Sequence, residues 1–317
     1  MQLIDASQVH QLLDYPSLVH TLAEAHKSDV ELVPSAVSQK PTATGDTAHF
    51  LALPAWQKDQ ALGAKLVTVF PDNEYNGSGL PSVQGVYVLF DGSTGEPMAC
   101  IDGAALTLRK TAANSALGTS LLANPEPASM LMVGAGALAP HLIQAHLSMR
   151  PSIKQVHIWN RSFERARKLA STLKLDGISI EATEDLEAAT RQADLISCAT
   201  MATEPLVKGA WLQPGAHLDL VGSYRQDMHE CDEAAIVRGS VFTDSPWSAT
   251  RDCGEITSAL ESGALKPNDI LANNFSLVRG EHAGRSGAGE ITVYKNGGGG
   301  HLDLMVARFL VARCSAA

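Results

Sequence analysis

Ser129-Met-Leu-Met-Val-Gly-Ala-Gly-Ala-Leu-Ala-Pro-His141 decides the fold. The apolar run Met130–Val133 reads as a buried strand, and it ends at Gly134-Ala-Gly136-Ala-Leu-Ala139. His141–Met149 then carries apolar residues at helical spacing. A second apolar run, Gln155–Trp159, follows and ends at Asn160-Arg161-Ser162. Strand, glycine turn, helix and strand, in that order, make a dinucleotide site. Gly134 supplies the tight turn, Gly136 lets the backbone approach a pyrophosphate, and Ala139 lets helix and strand pack closely. Between them, Ala137 and Leu138 lead into a helix N-terminus, whose unpaired N–H groups and positive dipole end attract phosphate.

The second strand does not end in Asp or Glu. An acidic residue there would accept hydrogen bonds from a free ribose 2′-hydroxyl. Asn160, Arg161, Ser162 and Arg165 suit a 2′-phosphate instead. The expected cofactor is therefore NADPH, with NADH as the alternative. The bland alternative is that these arginines only solvate the start of a helix.

The chain has 317 residues, 45% of them hydrophobic, enough for a large core in two domains. A formal net charge of −10 argues against nucleic acid and anionic membranes as partners. The five cysteines are scattered without a C-x-x-C pair, and the eleven histidines lack ligand spacing. Neither a disulfide framework nor a metal site is expected. A reduced, cytoplasmic setting fits. Neither a signal peptide nor a membrane-spanning run is read from the sequence.

Before residue 123 the pattern is α+β. Ser17–Asp29 and Ala105–Leu122 read as helices, and Thr47–Leu53, Ala61–Phe70, Gly85–Phe90 and Pro97–Asp102 as strands. Asn124-Pro-Glu-Pro127 reads as a linker. From Ala128 strand and helix alternate, which predicts a doubly wound parallel sheet. Ser197-Cys-Ala-Thr200 and Val221-Gly-Ser223 fall at carboxyl ends of its strands, where ligands bind in such sheets. Thr200, Val221 and Ser223 are therefore expected against the nicotinamide. After about residue 285 the character changes again, and the tail is expected to fold back onto the first domain. The expected division is 1–122 plus 288–317 against 123–287, with the active site in the cleft between domains.

In the first domain, Lys65 lies among apolar strand residues in Gly63-Ala-Lys-Leu-Val-Thr-Val-Phe-Pro-Asp-Asn73. It is either a solvent-face lysine or a cation that holds a substrate carboxylate. Arg109 and Lys110 are adjacent on a helix and point to different faces, so at most one of them faces a cleft. Lys295 and Asp303 frame the run Lys295-Asn-Gly-Gly-Gly-Gly-His-Leu-Asp303, and His301 is a candidate acid.

These segments, with Leu80-Pro-Ser-Val-Gln-Gly85, Leu89-Phe-Asp-Gly-Ser-Thr-Gly-Glu96, Leu106–Ala113, Trp159-Asn-Arg-Ser162 and Ile291-Thr-Val-Tyr-Lys295, resemble the ornithine cyclodeaminase/μ-crystallin family over almost the whole chain. The resemblance implies a Rossmann-type, NAD(P)-binding domain inserted in an α+β substrate-binding and dimerisation domain, and a homodimer. It implies one of several activities: ornithine cyclodeaminase, alanine or N-methylamino-acid dehydrogenase, or reductase of a small cyclic imino acid. A non-enzymatic, μ-crystallin-like ligand-binding role is the remaining alternative. The family's cyclodeaminases carry a catalytic Asp where this chain has Tyr224, in Val221-Gly-Ser-Tyr224-Arg-Gln-Asp227. The family's early substrate-binding Arg is missing from Val33-Pro-Ser-Ala-Val37, and its later Arg aligns with Lys110. The Ser223-Tyr224 variant and Lys295 resemble the cyclic imine reductases. The expected reaction is reduction of 1-pyrroline-2-carboxylate to L-proline, with 1-piperideine-2-carboxylate to L-pipecolate as a second substrate pair. Lys65 and either Arg109 or Lys110 are expected on the carboxylate, and Lys295 is expected to bind the substrate. Asp303 is expected to stabilise the iminium, and Lys65 or a bound water to supply the proton.

Overall fold

Ser129–Val133, buried from Met130 onward, lies inside an eight-stranded sheet in which every pairing is parallel. The computed structural model describes residues 1–316 of the chain. Across the sheet the strands run Ser179–Thr183, Gln155–Trp159, Ser129–Val133, Leu195–Cys198, His217–Leu220, Thr292–Lys295, Ser240–Thr243 and Ile270–Asn273. Strand order reverses between Ser129–Val133 and Leu195–Cys198. That reversal opens a crevice at the carboxyl edge of a doubly wound sheet. The near-continuous apolar strands are what a sheet covered on both faces requires. Leu131, Val133, Ile196, Leu218, Leu220, Val241 and Val293 form its core with Ile256.

The interior also holds charge. Asp219, fully buried, accepts hydrogen bonds from Ser115 at 2.9 Å and Ser197 at 2.7 Å, and lies 3.2 Å from His146 Nε2. Thr119 Oγ1 meets the other His146 ring nitrogen at 3.0 Å. A buried carboxylate without such partners would cost several kcal/mol, so the network closes its own desolvation. Gly118, on the same helix as Ser115 and Thr119, permits close approach: a Cβ there would fall 2.6 Å from the Tyr294 ring.

A second, mostly antiparallel sheet is built from Ala36–Pro41, Thr47–Gln57, Ala61–Val69, Val83–Asp91 and Pro97–Asp102 in sequence order. Gln2–Ile4 pairs with its last strand in parallel, and Glu31–Leu32 pairs with Thr47–Gln57. The C-terminal helix Gly300–Ala316 packs on the three central strands. Among the described residues no helix is long and apolar enough to cross a membrane.

Two compact units result: Met1–Lys110 with the segment from Gly299 onward, and Thr111–Gly298. The divisions fall inside the helix Gly103–Leu122 and within the glycine run, between Gly298 and Gly299, away from the expected positions at 122/123 and 287/288. The physical reasons are local. Asn114, Ser115 and Thr119 commit the second half of that helix to the polar interior of the parallel-sheet unit. Thr292–Lys295, expected to return with the tail, is a fully buried strand paired on both sides within the parallel sheet.

Candidate active site

Gly134 takes φ +114°, a left-handed conformation open to glycine, and a Cβ there would lie 2.5 Å from the Ala199 carbonyl oxygen. It therefore turns the chain and seals it against the neighbouring strand at the point of reversal. A Cβ built on Gly136 meets nothing within 4 Å, so the loop leaves open space above this residue. Gly136 and Ala137 are exposed, and Leu138 begins the helix Ala139–Met149 with no side-chain cap. Ala139 N donates to the Gly136 carbonyl at 3.1 Å and Pro140 carries no N–H, so this end offers an anion the positive pole of the helix beneath the open backbone of Gly136. The residues present fit a dinucleotide pyrophosphate.

The tip of the second strand divides into two kinds of residue. Asn160 Oδ1 accepts from Ala135 N at 3.2 Å while its amide donates to the Ser162 carbonyl, so Asn160 ties the glycine loop to the adjacent strand. Arg161, Ser162 and Arg165 are exposed. Arg167, by contrast, is taken up by Glu164 at 2.7 Å.

The expected nicotinamide contacts are held from behind. Thr200 donates both its N–H and its hydroxyl to Glu230. The Ser223 hydroxyl, fully buried, donates to the Met228 carbonyl and accepts from Gly254 N. Ser223 therefore shapes the loop, and its hydroxyl is spent within the protein. Val221 contributes its backbone N–H to Glu230 at 3.0 Å. Tyr224 is 54% exposed, and the neighbouring carboxylate of Asp227 is paired with Arg225 at 2.9 Å.

In the other unit Lys65 stands opposite Tyr87 on the sheet face that the C-terminal helix covers. Its Nζ donates to Thr107 Oγ1 at 2.5 Å and lies 3.8 Å from Asp303 Oδ1. Lys110 Nζ lies 3.9 Å from Asp303 Oδ2. The side chains are 12% (Lys65), 6% (Lys110) and 2% (Asp303) exposed, so two ammonium groups share one carboxylate in a nearly dry setting. Burial pulls the Lys65 pKa below its ordinary value; Asp303 opposes that and Lys110 reinforces it. The cluster carries one surplus positive charge, which suits it to a carboxylate ligand. His301, in the same helix turn as Asp303, is held neutral by burial with His26 and Lys110 beside it, so it is no reservoir of acid at neutral pH.

Arg109 and Lys295 are each engaged by other groups. Arg109 donates to His10 Nδ1 at 3.1 Å and the His10 carbonyl at 2.8 Å, and stacks 4.7 Å from the Tyr15 ring. Its guanidinium anchors the N-terminal helices, which leaves Lys110 as the helix cation in the cluster. Lys295, expected to bind the substrate, is fully buried in the parallel-sheet unit, 3.6 Å from Glu255. A lysine sealed against an internal carboxylate has its charge consumed there. Thr107, Tyr87, Glu230 and Glu255 were not anticipated. For Thr107 a signal existed: it lies three residues before Lys110, on the same helix face.

A family model described as the ornithine cyclodeaminase/mu-crystallin family matches residues 5–317. The chain belongs to that family. Among family relatives, the Delta(1)-pyrroline-2-carboxylate reductase of Paracoccus denitrificans is 41% identical over 92% of this chain and 88% of its own. Protein SAR DEFICIENT 4 of Arabidopsis thaliana is 40% identical over 98% of each chain. The solved structure of Thermococcus litoralis Delta(1)-pyrroline-2-carboxylate reductase, in complex with NADH and L-proline, matches with a TM-score of 0.89 at 27% identity, over 100% of this chain and 98% of that one.

The shared carboxylate makes a direct prediction. Asp303→Asn removes the charge that holds the Lys65 pKa up, so Lys65 Nζ will titrate at lower pH than in the wild type. NMR of isotope-labelled lysine reads this; an unmoved Lys65 resonance would mean that the two groups are not coupled.

Proposed function

We propose that this chain reduces a small cyclic imino acid with a reduced nicotinamide dinucleotide, converting 1-pyrroline-2-carboxylate to L-proline and, one ring carbon larger, 1-piperideine-2-carboxylate to L-pipecolate. The observation that carries this reading is the Lys65–Asp303–Lys110 cluster in a chain 41% identical to a named reductase of that substrate. Lys65 and Lys110 bind the ring carboxylate, each charge-assisted contact contributing roughly 1.5–3 kcal/mol when desolvated. Asp303 then faces the ring nitrogen and favours its protonated, iminium form. Lys65, whose ammonium is made more acidic by burial, gives that proton to the imine nitrogen and recovers one from solvent. When bound, the nicotinamide supplies a hydride to the C=N carbon, leaving the oxidised cofactor and a secondary amine. Tyr224 at the place of the cyclodeaminases' carboxylate argues against deamination.

Arg161 and Arg165, exposed at the tip of the second strand, favour NADPH over NADH. A homodimer is supported by the outer face of the antiparallel sheet. There Trp56, Leu62 and Phe90 lie in one cross-strand row, Pro54, Ala64 and Val88 in the next, and Ala52, Leu66 and Val86 in a third. Trp56 is 44% and Val86 39% exposed. A contiguous apolar surface of this kind marks an interface. The five free cysteines suit a reducing, cytoplasmic setting.

Three outcomes test the reading. The wild type will oxidise NADPH on addition of 1-pyrroline-2-carboxylate, with a rate that declines as pH rises through the lowered Lys65 pKa, and Lys65→Met will lose roughly a hundredfold in kcat. Proline release from ornithine without net NADPH oxidation would instead make it a cyclodeaminase. Arg161→Glu will raise the KM for NADPH about tenfold while that for NADH changes little; equal effects on both would remove the 2′-phosphate assignment. Val86→Glu will shift the mass measured by light scattering from dimer to monomer, and a wild type that is already monomeric would refute the interface.

A further inference from the structure

Strands Leu195–Cys198 and His217–Leu220 each open into a loop at the carboxyl edge of the parallel sheet, and one buried carboxylate joins the two loops. Glu230 Oε1 accepts from Thr200 N at 2.6 Å and Thr200 Oγ1 at 2.9 Å. Its Oε2 accepts from Val221 N at 3.0 Å and Gly222 N at 2.6 Å. The Glu230 N–H in turn donates to Glu255 Oε1 at 3.0 Å, and Glu255 Oε2 lies 3.6 Å from Lys295 Nζ. Glu230 and Lys295 are fully buried and Glu255 is 3% exposed. Four donors from two loops thus converge on one side chain that touches no solvent.

We propose that Glu230 is a positioning residue for the cofactor, its ionised carboxylate holding the Thr200 and Val221–Gly222 loops in the shape that receives the nicotinamide end. The proposal rests on the reading of those loops as cofactor contacts. Its logic is geometric. A carboxylate offers lone pairs to all four donors at once, whereas a carboxylic acid turns one oxygen into an O–H donor aimed at donors. The same clash arises in Glu230→Gln, whose NH2 would face either the Thr200 or the Val221–Gly222 groups.

The groups around Glu230 make this sensitive to pH. Glu255 adds a second buried carboxylate from the helix Gly254–Ser262, and Lys295 offers a single cation from the central strand. The nearby thiols of Cys198, Cys231 and Cys253 are all pushed up, chiefly by burial, and stay neutral. His229 turns to Ser258 at 2.9 Å. With two carboxylates and one ammonium inside, one proton is held weakly: burial drives Glu230 up to about 7, with Lys295 opposing and Glu255 adding to it. Above that pH Glu230 is ionised and the loops are clamped; as pH falls through it the clamp loosens.

The test is binding of NADH, followed by its fluorescence, to the intact protein from below to above pH about 7. NADH is the probe because the 2′-phosphate of NADPH titrates in the same range. Wild-type affinity will fall as the pH drops through about 7. E230Q will bind NADH about tenfold more weakly at alkaline pH, with an affinity that no longer varies through neutrality. Hydrogen exchange at the Thr200, Val221 and Gly222 amides will be faster in E230Q. Wild-type binding that is flat through neutrality, or an E230Q protein that keeps both wild-type affinity and pH profile, would overturn the role of Glu230 alone. The wild-type titration stands even if E230Q does not fold. No binding of NADH or NADPH to the wild type would overturn the cofactor reading and this proposal with it.

Discussion

The parallel-sheet unit hinges on the insertion of Thr292–Lys295 between His217–Leu220 and Ser240–Thr243. A strand buried on both faces must have both backbone edges paired, and this one fills a gap that the preceding strands leave open. Its arrival places the Tyr294 hydroxyl where Asn274 donates to it at 2.9 Å, and Lys295 beside Glu255. It also sets the exit of the chain. Asn296 is pinned to the Thr111 carbonyl, and Gly298 N donates to Asp244 at 2.6 Å, before the helix that carries Asp303 begins.

The two units use the same side chains in opposite proportion. In one, a single carboxylate lies between two lysines; in the other, one lysine is paired with Glu255 and acts on the second buried carboxylate, Glu230, only through its field. Burial makes each imbalance count, since a surplus charge in a dry setting must find a ligand or shift its proton. The first surplus is positive and recruits an anion. The second is negative and retains a proton at a position that loops depend on. Such sites trade stability for chemistry, because hydrophobic residues of the same volume would be no less stable there.

The sequence was most legible where function and local geometry coincide. The glycine turn, the strand before it and the helix after it lie where periodicity and spacing put them, because Gly134 needs its φ and Met130–Val133 needs its burial irrespective of the rest. Lys65 was legible as an anomaly, a charge on an apolar strand. Arg109 and Lys110 were not separable by spacing, since adjacent helical residues differ only in direction; what separates them is a distant His10 and Tyr15 that claim Arg109. Lys295 was misleading for the same reason: Glu255, forty residues upstream, consumes its charge. Glu230 left no signal, because four donors from two separate loops meet only once the sheet has formed.

The apolar rows on the outer face of the antiparallel sheet bear on how this protein should be handled. If the folded state gains part of its free energy from covering Trp56, Leu66 and Val86 with a second copy, the midpoint of unfolding becomes a function of protein concentration, rising as mass action favours association. Dilution then acts as a mild denaturant, and melting temperatures measured at different concentrations are not interchangeable.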